Sequence, residues 1–109
     1  DSLDDRVRAV AIGPGAGVTP GTQKQVLKML QGNIPVILDA DAITVFCENS
    51  QLLFKHLSSN DVMTPHVGEF GRLFPELAKE EPVSAACAAA RLAGCVILLK
   101  GPDTVIAVA

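Results

Sequence analysis

Four short stretches of this sequence carry residue types that a scaffold alone does not need: Gly13-Pro-Gly-Ala-Gly17, Asp39-Ala-Asp41, Thr64-Pro-His-Val-Gly-Glu69 and Lys100-Gly-Pro-Asp-Thr104. In the first, glycines at 13, 15 and 17 let bare backbone approach a ligand and aim N–H groups at phosphate or carbonyl oxygens. The stretch is not the dinucleotide fingerprint, which needs glycine where Val18 stands, nor a P-loop, because no Lys-Ser or Lys-Thr follows. A tight turn between a strand and a helix accounts for the same glycines. Asp39 and Asp41 offer hard oxygens suited to a divalent cation and a phosphate. Capping of the helix that follows them is the equal alternative.

His66 and Glu69 stand where a strand turns at Pro65 into a helix, beside N–H groups that the first helical turn leaves unpaired. His66 can hydrogen-bond a substrate, whereas the helix dipole favours Glu69 at that position in any case. The second histidine, His56, follows Lys55 on a helix and reads as a solvated surface residue. Lys100 and Thr104, with Gly101, Pro102 and Asp103 between them, supply the charge and hydroxyl that a nucleotide phosphate requires. A hairpin with a lysine at its mouth is an equally ordinary reading.

These stretches need strands to hold them. Arg6 to Ile12 reads as a first strand, Pro35 to Asp39 as a second, Asp61 to Met63 as a third and Cys95 to Leu99 as a fourth. Thr104 to Ala109 reads as a fifth, antiparallel to the fourth across the turn at Gly101-Pro-Asp103. A helix starts at Thr19-Pro20, with Thr19 as N-cap, and stops at Gly32-Asn33. Helical pieces follow at Ala42 to Glu48 and Gln51 to Leu57. The helix after Pro65 turns Phe70, Leu73 and Phe74 inward. Pro75 to Pro82 is a charged surface connection, and an alanine-rich helix from Val83 to Ala93 ends at Gly94. The order β-α-β-α-β-α-β-β predicts a mostly parallel α/β sheet with right-handed crossovers. All four chemistry-bearing stretches then emerge at the same edge of the sheet, where ligands bind in open α/β folds.

Composition agrees. The chain is 49% hydrophobic with only four aromatic residues, all Phe, so Val, Ile, Leu and Ala must build the core. The net charge of −3 provides no basic stripe for nucleic acid. No apolar run reaches the ~18 residues of a membrane span. Cys47, Cys87 and Cys95 form no CxxC pair and are expected to be buried thiols of a cytoplasmic protein. The sequence opens on Asp1 and stops inside an apolar run, which is expected of an excerpt from a longer protein.

Ala11-Ile-Gly-Pro-Gly-Ala-Gly17, Pro35-Val-Ile-Leu-Asp-Ala-Asp-Ala42, Met63-Thr-Pro-His-Val-Gly-Glu-Phe70 and Ile97-Leu-Leu-Lys-Gly-Pro-Asp-Thr-Val-Ile-Ala107 follow one another in a specific order and spacing. Together they resemble the ADP/ATP-dependent NAD(P)H-hydrate dehydratases, a carbohydrate-kinase-type branch of the ribokinase-like superfamily. The resemblance runs from Ala9 to Ala109 and implies a partial ribokinase-like three-layer sandwich, with residues 1–109 as the central part of the domain. It implies repair of hydrated NADH or NADPH: ADP or ATP phosphorylates the ring hydroxyl, and loss of phosphate restores the double bond. Gly15, Gly17 and His66 would lie against the hydrated cofactor, and Lys100, Gly101, Pro102, Asp103 and Thr104 would line the nucleotide. Glu69 matches the glutamate of the superfamily's Asn-x-x-Glu motif, with His66 in place of the asparagine. It would organise Mg²⁺ and phosphate through water, supported by Asp39 and Asp41. A homo-oligomer and an NAD(P)H-hydrate epimerase, fused or separate, are the partners the resemblance suggests.

Three positions depart from the family pattern. Ala16 replaces a leucine, Val67 replaces a proline, and no Gly-Thr-Gly-Asp occurs in the 109 residues. That motif supplies the family's anion hole and catalytic base, so no catalytic residue is expected within this chain and the 109 residues alone are expected to be inactive. Two other functions remain open. One is a small-molecule kinase of the hydroxymethylpyrimidine or thiazole type, which would consume an alcohol instead of a hydrated cofactor. The other is a non-catalytic nucleotide-binding module, which would lack the Gly-Thr-Gly-Asp motif after Ala109.

Overall fold

The computed structural model describes residues 9–109. Its order is β1 (Val10–Ile12), α1 (Pro20–Leu30), β2 (Val36–Leu38), α2 (Asp41–Thr44), α3 (Ser50–Phe54), β3 (Val62–Met63), α4 (Val67–Leu73), a 3₁₀ turn at Leu77–Lys79, α5 (Pro82–Ala93), β4 (Val96–Leu99) and β5 (Val105–Ala107). The strands lie side by side in sequence order; β1 to β4 are parallel and β5 is antiparallel to β4. The mostly parallel sheet with a terminal hairpin is the one expected from the sequence. Arg6 to Arg8, expected to begin the first strand, lie outside the described residues.

Strands added in one direction through right-handed crossovers place every connecting helix on one face of the sheet. The burial pattern follows. Ile12, Leu38, Met63, Ile97 and Ala107 are in register across the five strands and all are buried. Ala11, Ile37, Val62 and Val96 form the neighbouring row on the opposite face, where none is fully buried, and Ile106 is 67% exposed. The described residues thus provide the sheet and one helical layer, two of the three layers that the resemblance implies.

Each helix is placed by local chemistry. Thr19 caps α1 through its hydroxyl, which accepts from the Thr22 N–H at 3.2 Å, and Pro20 stands at the first helical position. Thr22, Val26 and Leu30 form its buried stripe at four-residue spacing. In α5 the five buried alanines Ala85, Ala86, Ala89, Ala90 and Ala93 let the helix backbone approach the sheet, and Gly94 closes the helix at φ 76°. Phe70, Leu73 and Phe74 are buried as expected, with Phe74 stacked on Phe54 at 5.2 Å.

Local expectations needed three corrections. α2 and α3 are shorter than the helices read from the sequence, because Val45 to Glu48 after α2 and Lys55 to His56 after α3 continue only as turns. Asn49 separates the two pieces. His56 is half-buried in the turn after α3, its Nδ1 placed 2.8 Å from the Leu52 carbonyl, and is not a solvated helix residue. Cys47 and Cys87 are only partly buried, whereas Cys95 is fully buried. Burial first, then the nearby Asp61 charge, push the Cys95 thiol up to about 12.

Asp61 is the polar anchor at the opposite edge of the sheet. It is 3% exposed and accepts from the Val36 N–H at 2.9 Å, the Ser58 N–H at 2.9 Å and the Ser58 hydroxyl at 3.1 Å. It therefore satisfies an N–H at the start of β2 from the segment leading into β3. Asp61→Ala leaves the Val36 N–H buried without a partner and is expected to cost about 1–3 kcal/mol. Thermal unfolding should show a fall of roughly 5–20 °C, with Asp61→Asn recovering part of it through its remaining oxygen.

Candidate active site

The loops after β1, β2, β3 and β4 meet at the C-terminal edge of the sheet and are joined by specific bonds. Gly13, at φ 147°, packs directly on the Asp39 backbone. No other residue fits, since a Cβ would fall inside the Asp39 carbonyl. The Gly17 N–H donates to Asp41 Oδ2 at 2.9 Å, and the Thr22 hydroxyl donates to the Ala16 carbonyl at 2.9 Å. The glycine loop is thus held from both sides. Gly15, at φ 75°, has nothing within 4 Å of where a Cβ would lie, so its face is open to a ligand.

Asp39 and Asp41 diverge because Ala40 between them adopts φ 49°, ψ −117°. This region favours glycine, and a residue with a Cβ occupies it at a cost of about 1–3 kcal/mol. The turn sends Asp41 to Gly17 and Asp39 to the far side. Asp39 Oδ1 accepts from the Ala40 N–H at 2.9 Å and from Lys100 Nζ at 3.1 Å. Neither aspartate gives α2 a side-chain cap, so the capping alternative is not the one adopted. The Thr64 hydroxyl donates to the Leu38 carbonyl at 3.2 Å and lies beside the Asp39 carboxylate. Burial pushes the Asp39 carboxyl up, but Thr64, Lys100 and the Ala40 N–H outweigh it and hold it below the ordinary value of 3.8. A depressed folded value means the pair's stabilisation is complete above the unfolded value and lost as pH falls through the folded one. The pair therefore persists through the neutral range.

At the third loop, His66 and Glu69 form a reciprocal capping box. The Glu69 N–H donates to His66 Nδ1 at 3.2 Å, and the His66 N–H donates to Glu69 Oε1 at 3.1 Å. An imidazole Nδ1 here does what an asparagine oxygen does at an N-cap, which explains how histidine fills that position. The ring remains 55% exposed while the glutamate side chain is 7% exposed. Gly68 keeps room for the ring; a Cβ there would stand 3.0 Å from His66 Cε1. Loops three and four are stitched by a parallel bridge between His66 and Lys100, with the Lys100 N–H donating to the Pro65 carbonyl at 2.9 Å.

Gly101, Pro102, Asp103 and Thr104 are exposed at the hairpin turn. Gly101, Pro102 and Asp103, but not Thr104, border a cleft of about 320 Å³ whose apolar wall is Val67, Pro82, Val83, Leu99 and Val105. The three carboxylates expected near a metal do not converge. Asp39 is paired with Lys100, Asp41 with Gly17 and Glu69 with His66. Among the described residues no group of three His, Cys, Asp or Glu side chains is placed to hold a metal ion. These residues by themselves do not form a direct three-ligand Mg²⁺ site.

Two contributors escaped the sequence reading. Thr22 was legible as the polar member of an apolar four-residue stripe. Thr64 was legible by the two-residue period that puts it on the same sheet face as Ile37, Asp39 and Val62.

Comparisons with known proteins show what the chain is similar to. A family model described as NAD(P)H-hydrate dehydratase matches residues 1–109. The bifunctional NAD(P)H-hydrate repair enzyme Nnr of Synechocystis is 41% identical over 103 residues, which cover 94% of this chain and 19% of that protein. The ADP-dependent (S)-NAD(P)H-hydrate dehydratase of Bacillus subtilis is 38% identical over 109 residues, covering 96% of this chain and 37% of that one. Among solved structures, the ADP/ATP-dependent NAD(P)H-hydrate dehydratase from Bacillus subtilis, co-crystallised with ATP/Mg²⁺ and soaked with CoA, matches with a TM-score of 0.69 at 34% identity. That match covers 93% of this chain and 36% of the other. A ribokinase-like superfamily protein from Enterococcus faecalis matches with a TM-score of 0.69 at 29% identity, over 91% of this chain and 35% of that one. The chain therefore spans between 19% and 37% of the length of these relatives.

Proposed function

Given that the chain belongs to the NAD(P)H-hydrate dehydratase family, we propose that the intact protein repairs hydrated NADH or NADPH at the expense of ADP or ATP. Residues 1–109 are then the central part of its ribokinase-like domain. The observation that carries the reading is the bridge between loops three and four, which sets His66 beside Lys100 at one sheet edge. A ring with hydrogen-bonding capacity and a phosphate-binding cation thereby become neighbours. The terminal phosphoryl group passes from the nucleotide to the ring hydroxyl oxygen. The C–O bond then breaks, phosphate leaves with the bonding pair, and proton loss from the neighbouring ring atom restores the double bond.

In this reading Lys100 and Thr104 meet the nucleotide phosphates, and Gly101 to Asp103 line the nucleotide over the apolar cleft. Gly15 and Gly17 admit the hydrated cofactor closely, with His66 against its polar edge. Glu69 and Asp41 fix the loops that carry these groups, and Mg²⁺ belongs with the nucleotide phosphates. In this reading the base and anion hole come from another part of the intact protein. Without them the chain alone should be slower by at least 10²–10⁴-fold.

Three free thiols support a reducing compartment, and we place the protein in the cytoplasm. No helix among the described residues is long and apolar enough to cross a membrane. An epimerase that interconverts the two forms of the hydrate, fused or separate, and a homo-oligomeric assembly complete the proposal. The bifunctional relatives support the first of these.

The test is recovery of NADH absorbance from its hydrate by the intact protein with ADP or ATP and Mg²⁺. Consumption of an alcohol substrate instead would redirect the reading to a kinase. His66→Ala also removes an N-cap, at a cost of about 1 kcal/mol, so His66→Asn is the cleaner variant because it keeps a capping oxygen. It should raise the KM for hydrated cofactor roughly tenfold and leave ADP affinity nearly unchanged. Equal loss of both would make His66 structural.

A further inference from the structure

We propose that Asp39 is the counter-ion that aims Lys100, a positioning residue and not a metal ligand, so that the ends of β2, β3 and β4 act as one unit. The inference rests on the nucleotide-dependent reading above and deepens it.

Three observations support it. First, period-two alternation puts Asp39, Thr64 and Lys100 on the same face of three adjacent strands, opposite the buried row of Leu38, Met63 and Ile97. The ammonium of Lys100 reaches back across β3 to Asp39 Oδ1 at 3.1 Å, 61 residues away in sequence. Second, the carboxylate is itself fixed: the same oxygen accepts from the Ala40 N–H at 2.9 Å, and Thr64 stands beside it. A long lysine side chain ordered in this way starts with much of its rotamer entropy already spent, which favours productive placement of a phosphate. Third, the backbone is strained to achieve it. Ala40 takes a conformation that disfavours a Cβ, and this turn separates Asp39 from Asp41 and directs them to different loops.

A carboxylate already neutralised by an ammonium is a poor ligand for a divalent cation, because binding the metal would strand the lysine charge. Binding a phosphate has the opposite effect. Lysine carries three N–H donors, so the ammonium can hold Asp39 with one and a phosphate oxygen with another.

The experiment is a double-mutant cycle in the intact protein with Asp39→Asn, Lys100→Met and the pair. Asparagine keeps an acceptor for the Ala40 N–H and removes only the charge. Turnover of hydrated NADH, ADP affinity by calorimetry and the Mg²⁺ midpoint of activity are measured for each. Asp39→Asn should lower kcat roughly ten- to a hundredfold, the scale of a misplaced reacting group, while the Mg²⁺ midpoint stays within about twofold. In the Lys100→Met background, Asp39→Asn should have no further effect, because a residue that acts through another is silent once that other is gone.

An Asp39→Asn effect that persists in full in that background would overturn the proposal. So would a Mg²⁺ midpoint that rises more than about tenfold, which would make Asp39 a metal ligand. A wild-type protein that binds ADP but does not consume the hydrate rejects the dehydratase reading alone, and the cycle is then read on ADP affinity. A wild-type protein that does not bind ADP overturns both.

Discussion

Replacing Gly13 by alanine is expected to cost about 3–5 kcal/mol of folding stability, a large part of the 5–15 kcal/mol that holds a domain together. Two effects add. The φ of 147° is one that L residues rarely adopt, and the new Cβ would collide with the Asp39 carbonyl. The collision is with backbone, so no rotamer change relieves it. Relief would require β1 and β2 to part where Asp39 N–H donates to the Ile12 carbonyl at 3.0 Å, beside the Ile12–Leu38 register pair. Chemical denaturation should show the loss directly, and so should the yield of soluble protein. Gly15→Ala is the matched control, since its φ is also positive but its surroundings are open. It should cost only about 1–2 kcal/mol. Equal losses at the two positions would mean that backbone conformation and not the collision decides.

Lys100→Met is expected to have the reverse profile, with little effect on folding and a large one on turnover. Lys100 and Asp39 side chains are 43% and 36% exposed, so solvent screens their attraction. Losing the pair should change stability by no more than about 1 kcal/mol. On nucleotide-dependent turnover, removing a preorganised cation from developing phosphate charge should cost about 10²–10³-fold in kcat/KM. Steady-state kinetics with ADP and with ATP, alongside thermal unfolding, separates the two effects. A variant with wild-type kcat/KM would remove Lys100 from the nucleotide site. A variant that fails to fold would instead make the ion pair structural.

The contrast between these substitutions reflects how the site is made. Gly13 is part of the sheet edge itself, where two backbones touch. Lys100 is added on top of that edge and is held by one ion pair. Substitutions of the first kind are read in stability, those of the second in chemistry.

Much of this was legible in the sequence because the information is local. Apolar runs of four or five residues bounded by Gly, Pro and Asp specify strands, and the Thr19-Pro20 start and Gly94 stop specify helix ends through their own backbone chemistry. Alternation of strands with helices implies parallel pairing, and parallel pairing brings all four loops to one edge. The family resemblance rested on those same loops. What the sequence did not determine was the partner of each side chain at that edge. Asp39 and Asp41 look equivalent two residues apart, yet one serves Lys100 and the other Gly17. His66 reads as a free ring but spends its Nδ1 on the Glu69 N–H. Strand order settles the partners of the two aspartates, because it decides which loops are neighbours across the sheet. That order is fixed by burial summed over strands distant in sequence, a quantity no single stretch of residues contains.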